Sequence, residues 1–513
     1  MTEWSIEPDK IFLLLLVLVL SIVYLLKSRV KDFPDGPICY PFIGSNQFLQ
    51  TNAHIRLTRL KEKYGDIYSI QIGKKPAVIV CSLEGIEEGL LKKSPSFGGR
   101  PRDFLPPTLF NGCHDGGIIF SELNMKYKIK KDFVLHSLDK LCCSELIEGA
   151  ISREARTVTV QLLAHKGTCD LYPILESTML RILLFVVNGK MYSSNDENFQ
   201  EIWRTFSLRA EEMFKNWSNL NGAVFQSLRQ KNTLELIERT RLHFEYQRDI
   251  VNRHKDCFNP EIVSDVIDHG LVMLERYDDM GQLDQDELDA LFVELCGSGY
   301  RQVAATLQWL VLYISEIPDV QGKVYDELMS VVGKNRLPYL LDQPYLPYTC
   351  AVIMETQRLA TVMPFMYPHS TTENTSFMGY QIPKDTIMLF NLWSLHHDPK
   401  HWKHPMKFDP DRFLKDGALH IPDHYLPFGD GLRSCPGESL VDIMLFIFAT
   451  HLLHQLSFKH TNTADLDGEF NGFVLKPKSF RVIMEPRDPI TMDTEDIETQ
   501  AETVVCFING EEI

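Results

Sequence analysis

Phe428-Gly429-Asp430-Gly431-Leu432-Arg433-Ser434-Cys435-Pro436-Gly437 sets a single cysteine among glycines, two residues after an arginine. These residue types suit a thiolate metal ligand. Glycines let backbone approach a flat cofactor, and backbone N–H groups aimed at sulfur stabilise the anion. Arg433 can pair with a cofactor carboxylate. The plainer reading of the same loop is a Gly-rich turn around a buried cysteine that only packs. A second charged group, Glu355-Thr356-Gln357-Arg358, falls in an apolar-periodic stretch beginning near Tyr348. That spacing puts Glu355 and Arg358 on one helical face. An isolated pair of this kind on a surface contributes under about 1 kcal/mol.

The cysteine loop resembles the haem-binding signature of the cytochrome P-450 family, Phe-x-x-Gly-x-Arg-x-Cys-x-Gly. It matches at every fixed position: Phe428, Gly431, Arg433, Cys435 and Gly437. The resemblance implies that Cys435 is the axial thiolate of haem (iron protoporphyrin), with Phe428 and Arg433 tuning and holding the group. A thiolate in that place favours O–O cleavage. In the family, Glu-x-x-Arg locks against a later arginine in a buried network. Phe408-Asp409-Pro410-Asp411-Arg412-Phe413 supplies it, so Glu355, Arg358 and Arg412 are expected to shape the haem pocket. Tyr127 and Lys131 stand where the family often has Trp-x-x-x-Arg, and His369 matches a second such position. All three are expected to meet haem propionates. Lys130 and Lys131 are expected on a basic face that docks an NADPH-dependent reductase.

The likeness runs from Lys27 to Arg487. It is strongest from about Leu283 to Pro486, where Asn391-Leu392-Trp393-Ser394-Leu395-His396-His397 is similar to animal microsomal members acting on steroids and aromatic compounds. It is weakest from about Ser193 to His269. One departure bears on the chemistry. The family's oxygen-side helix carries Ala/Gly-Gly-x-Asp/Glu-Thr-Thr/Ser, and the matching stretch here is Ser298-Gly299-Tyr300-Arg301-Gln302-Val303. Gly299 keeps the gap for oxygen, but the acid has become Arg301 and the alcohol Gln302. Arginine stays protonated and cannot cycle as a relay base. Thr306, one turn beyond Gln302, is a substitute alcohol. A buried Arg301 needs a partner, and Glu294, two turns earlier, is the expected one.

Three readings follow from the resemblance and this departure. One is a haem-thiolate monooxygenase that inserts one oxygen atom from O2 into an apolar steroid, lipid or aromatic molecule, with electrons from NADPH through a reductase. Another is an isomerase or dehydratase of lipid hydroperoxides, whose substrate brings its own O–O bond. The third is a catalytically impaired haem-binding membrane protein. Phe110, Phe206, Phe214, Phe365 and Phe473 are aromatic candidates for an apolar pocket.

These residues need a large frame. The chain has 513 residues, 44% of them hydrophobic, and no Pro/Gly/Ser linker or internal repeat divides it. One large domain is expected, by resemblance mainly α-helical with a small β-rich lobe, over residues 28–487. The apolar run Ile11 to Leu26 is expected to be a retained transmembrane anchor within residues 1–27. Lys27, Arg29 and Lys31 follow it, which puts the main domain in the cytosol. The resemblance implies the endoplasmic reticulum membrane. Pro34-Asp35-Gly36-Pro37 begins a stiff elbow. The net charge of −17 argues against nucleic acid as a partner. Residues 488–513 form an acidic tail, expected to be solvated and disordered. Eleven cysteines without paired metal-ligand spacing fit a reducing compartment.

Overall fold

A computed structural model describes residues 31–38, 44–45, 52–72, 75–101, 115–164, 168–218, 230–276, 283–461, 466–471 and 473–487, with Leu16 and Val19. The acidic tail and nearly all of the N-terminal apolar run lie outside these residues. Among the described residues, no helix is long and apolar enough to cross a membrane.

The long helices are α1 (Ala53–Tyr64), α2 (Met125–Cys142), α3 (Glu145–Ala164), α4 (Tyr172–Asn188), α5 (Glu197–Ser218) and α6 (Gln230–Asp256). They continue with α7 (Val266–Arg276), α8 (Gln285–Gly297), α9 (Tyr300–Glu316), α10 (Pro318–Val331), α11 (Pro347–Ala360) and α12 (Glu438–Gln455). α9 and α12 form the middle of the molecule. Most residues of both are buried, so each is covered on several faces and not merely along one stripe. α9 packs on α4, α11 and α12, and α12 also lies on α3.

The β-rich lobe is a four-stranded sheet. β1 (Ile67–Ile72) and β2 (Lys75–Val80) pair antiparallel. β3 (Thr168–Cys169) joins a different sheet near the C-terminus. β4 (His369–Ser370) is an edge of the main sheet, and the hairpin of β5 (Thr375–Phe377) and β6 (Tyr380–Ile382) that follows it in the chain is a separate pair. β7 (Ile387–Phe390) runs parallel to β2, with Val80 facing Phe390, and antiparallel to β4. Its residues Ile387, Met388, Leu389 and Phe390 are all buried, the pattern of a strand covered on both faces. The elbow docks on this sheet: Ser69 N–H donates to the Asp35 carbonyl and Ser69 Oγ to that of Pro34. The expected class, mainly helical with a small sheet lobe, is the observed one.

One ion pair ties the end of α6 to the start of α7. His254 Nε2 lies 2.9 Å from Asp265 Oδ2, while His254 Nδ1 lies 2.9 Å from the Ile250 carbonyl. Asp265 also caps α7, accepting from Asp268 N–H at 2.8 Å. Burial opposes the imidazolium, but Asp265 and the Ile250 carbonyl outweigh it and lift His254 to about 9. A proton held more tightly when folded stabilises the protein fully below the unfolded pKa of about 6.5 and stops doing so above the folded one. Unfolding titrations should therefore show stability falling by roughly 2–3 kcal/mol as pH rises from about 6.5 to 9. In His254→Gln that fall should be absent.

Candidate functional site

The cysteine loop leads into α12, and its shape is forced by contacts on both sides. Gly429 and Gly431 have φ of 69° and 74°. A Cβ on Gly431 would lie 1.8 Å from the Leu90 carbonyl oxygen, so that position excludes any side chain by strain and by space. Asp430 caps the turn through Gly431 N–H, and Leu432 N–H donates to Ser94 Oγ. From α2, Tyr127 Oη and Lys131 Nζ both donate to the Leu432 carbonyl, at 2.6 and 2.8 Å. Arg433 turns inward. Its Nε, Nη1 and Nη2 donate to the carbonyls of Gly98, Ile118 and Ser121, and its guanidinium lies 4.1 Å from the Tyr127 ring centroid.

These residues surround an internal, mostly apolar cavity of about 290 Å³. Phe428, Arg433, Cys435 and Gly437 line it, with Tyr127, Lys131, Gly299, Gln302 and Thr306. Of the two loop glycines in the motif, Gly431 shapes the turn and is not on the wall. Burial pushes the Cys435 thiol up, against the opposing Gly437 N–H and Lys131. A coordinating metal reverses that balance and deprotonates the sulfur.

Arg100, which sequence reading did not single out, is on the same wall. It donates to the carbonyls of Ile119, Tyr367 and Pro368. Burial and then Arg433 pull Arg100 well below its ordinary value; burial first, then Arg433, also pulls Lys131 down. Among the described residues, neither Arg100 nor Arg433 has an ion pair. His369 is not on the wall: it is buried, with Nδ1 2.8 Å from the Phe97 carbonyl and Nε2 without a hydrogen-bond partner among the described residues. Burial and then the nearby Arg100 keep it neutral. Two crowded guanidiniums and a lysine make an anion-receptive rim beside the cysteine; His369 adds nothing to it, because its one proton is on Nδ1, given to the Phe97 carbonyl, and Nε2 can only accept. A cofactor with carboxylates and a thiolate-seeking metal fits that donor set.

Lys130 is placed otherwise than expected. It is 1% exposed and donates to the carbonyls of Asp115 and Gly116, so it cannot dock a partner. Tyr127 and Lys131 share one face of α2, and Lys130 falls on the face turned into the protein.

Glu355 and Arg358 are both fully buried and form a two-point pair at 2.7 and 2.8 Å. Glu355 Oε1 also accepts from Arg412 Nε at 3.1 Å and from Asp409 N–H at 2.8 Å. The network reaches the cysteine loop through His396. Arg358 Nη1 donates to the His396 carbonyl, and His396 Nε2 accepts from Leu426 N–H, two residues before Phe428. That leaves the proton on Nδ1, 3.1 Å from Thr361 Oγ1, which itself donates to the Arg358 carbonyl. Burial, followed by His397 and Arg358, holds His396 well below its ordinary value, as this neutral tautomer requires.

The oxygen-side helix is broken where the sequence departs from the family pattern. α8 ends at Gly297, Ser298 is extended, and Gly299 has a φ of 93°. A Cβ on Gly299 would meet nothing within 4 Å, so backbone geometry alone requires the glycine. Arg301 pairs with Glu176 of α4, Nε to Oε1 at 2.9 Å, and not with Glu294. The expectation failed because the break at Ser298–Gly299 ends the helical repeat that would have aligned the two. Glu294 Oε1 instead accepts from Ile118 and Ile119 N–H. Burial opposes the Arg301 charge, but Tyr300, Tyr172 and Glu176 outweigh it and hold the proton firmly. Gln302 stays on the cavity wall, and the Thr306 hydroxyl donates to the Gln302 carbonyl at 2.9 Å.

Of the aromatic candidates, Phe206 and Phe473 line a second cavity of about 130 Å³ that shares Ile119, Glu294, Gly299, Gln302 and Tyr367 with the first. Phe365 is buried in the core of the sheet lobe. Phe110 and the Phe214 side chain lie outside the described residues.

Comparison with known proteins agrees with this frame. The chain is 30% identical to human cytochrome P450 1B1, with 95% of each chain covered. It is also 30% identical to rat cytochrome P450 2J3, covering 94% of this chain and 97% of the relative. A solved zebra fish cytochrome P450 with progesterone superposes with a TM-score of 0.76 at 28% identity, covering 85% of this chain and 99% of that one. The sequence model of the family "Cytochrome P450" matches residues 34–484. With a cysteine loop, a cation-rimmed cavity and a relationship that spans the domain, the chain belongs to the cytochrome P450 family of haem-thiolate enzymes.

Proposed function

We propose that this protein is a monooxygenase that inserts one oxygen atom into an apolar small molecule, with electrons from NADPH through a reductase. Residues 1–27 would anchor it in the endoplasmic reticulum membrane, leaving residues 28–487 on the cytosolic side and 488–513 as a solvated tail. The observation that carries the reading is Cys435 on the wall of an apolar cavity rimmed by Arg100 and Arg433, which lack ion pairs among the described residues. Haem, when bound, supplies an iron centre that a cysteine thiolate equips to activate oxygen.

The protein's own residues do the rest. Cys435 would be the axial ligand. Arg100, Arg433, Lys131 and Tyr127 would hold the propionates, and His369, off the wall with its proton given to the Phe97 carbonyl, would not. The apolar wall, including Val303, Val362 and Leu295, would bind the substrate and exclude water. Gln302 and Thr306 would hold water at the wall but offer no acid. Glu355, Arg358 and Arg412 position the loop through His396.

A second reading is favoured by one observation: the residue at the acid position, Arg301, is withdrawn into its pair with Glu176. A hydroperoxide isomerase or dehydratase needs no proton relay. The test is turnover of the haem-loaded, full-length protein on steroids, fatty acids, planar aromatics and lipid hydroperoxides, each with and without NADPH and reductase. A product gaining one oxygen atom only with NADPH is expected, with peroxide released alongside it. Rearranged hydroperoxide formed without NADPH would replace this reading with the second.

A further inference from the structure

The second cavity contains a charge that the family pattern does not account for. Arg209, on α5, lines it among Phe206, Phe244, Ala290 and Val293. Its hydrogen bond is to Thr240 Oγ1 at 3.4 Å, and its buried Nη2 has no partner among the described residues. The guanidinium lies 5.6 and 5.7 Å from the ring centroids of Phe206 and Phe244. Next to it, His243 is 5% exposed, with neither ring nitrogen partnered among the described residues. Burial pulls Arg209 down to about 10. Burial, then the charge of Arg209, pulls His243 down to about 3. Of the other charged groups on this cavity, Arg301 is paired with Glu176, and Glu294 is held by two backbone N–H groups. A guanidinium with a buried nitrogen that lacks a partner among the described residues is costly, and the cost is recovered when an anion fills the site.

We propose that Arg209 receives the carboxylate of an amphipathic acid, whose hydrocarbon body passes the shared wall at Gly299 and Gln302 toward Cys435. The head group and the reacting carbon then occupy different cavities. Oxidation falls on carbons remote from the carboxylate. This deepens the monooxygenase reading and rests on it for the reaction, though not for the binding.

The test uses calorimetry on the full-length protein with dodecanoate, methyl dodecanoate and dodecan-1-ol. Calorimetry reads binding whether or not haem is ligated, while the carbon monoxide difference spectrum reads thiolate ligation separately. Dodecanoate should bind at least about tenfold more tightly than its methyl ester, the scale of one charge-assisted contact. Arg209→Gln should erase that ratio and leave the ester unchanged, and Arg209→Lys should retain part of it. Because the substitution removes a charge that has no ion pair among the described residues, the thermal midpoint of Arg209→Gln should not fall. Equal affinity for acid and ester in the parent protein, or weakening of both alike in Arg209→Gln, would overturn the inference. A normal thiolate spectrum with no acid preference sinks this proposal alone. Acid preference without that spectrum sinks the haem reading alone.

Discussion

Glu355→Gln should destabilise the protein by about 3–5 kcal/mol, a large share of the stability of a typical domain. The glutamine amide keeps the shape but removes the charge that faces two guanidiniums. Arg358 is fully buried and would keep its hydrogen bonds to the His396 and Lys407 carbonyls while losing its counter-ion. With the amide oxygen in the Oε1 place, Arg412 Nε and Asp409 N–H keep an uncharged acceptor, while the amide NH2 takes the Oε2 place and faces Arg358 Nε donor to donor. The damage should propagate, because the His396 carbonyl and ring connect this network to Leu426 and the cysteine loop. Denaturant unfolding should show the lost stability, and the ratio of haem to protein after purification should fall with it. Arg412→Ala should cost less, since two of its three hydrogen bonds are to backbone carbonyls near the surface. The exposed pair of Lys459 and Glu485 makes a control expected to contribute under about 1 kcal/mol. If Glu355→Gln were as mild as that control, the network would not be what holds the loop.

What could be read from the sequence follows from how chemistry is distributed along the chain. The cysteine loop was legible because its ligand, its glycines and its arginine are contiguous. The buried network was legible because Glu355 and Arg358 share a helical face and Arg412 stands in a recognisable hexapeptide. Arg100, Glu176 and His396 were not, because each acts on a residue far away in sequence: His396 accepts from Leu426, and Glu176 meets Arg301. Periodicity also misled where the helix stops. Counting two turns from Glu294 to Arg301 assumes one continuous helix, and the left-handed Gly299 breaks it. Lys130 shows the same limit on α2: lysine is usually exposed, yet here a pair of backbone carbonyls draws it inside. Arg209 belongs to the stretch where family likeness is weakest, which is where a feature particular to this chain would sit.

The pairing of Arg301 with Glu176 sets how the missing acid can be restored. Either single neutralisation, Arg301→Gln or Glu176→Gln, leaves an unmatched buried charge and should cost about 3 kcal/mol. The double variant should recover much of that, giving a coupling energy of about 2 kcal/mol in a double-mutant cycle. The contact is an ion pair without hydrogen-bond alignment, and Arg301 Nη1 has no hydrogen-bond partner among the described residues, so the coupling is mainly charge. It follows that Arg301→Asp with Gln302→Thr is not a clean repair of the relay. That change puts a second carboxylate beside Glu176, and one of the two must take up a proton or the helix must move. Adding Glu176→Gln removes the conflict. A positioned acid contributes upwards of about 100-fold to proton transfer. If proton delivery is what limits this enzyme, the triple variant should release several-fold less peroxide per NADPH consumed than the parent, while Arg301→Asp/Gln302→Thr alone should unfold more easily and gain little. A folded, haem-loaded triple variant with the parent's peroxide yield would mean that α9 is not short of an acid, and that its Arg301–Glu176 pair serves to hold α9 against α4.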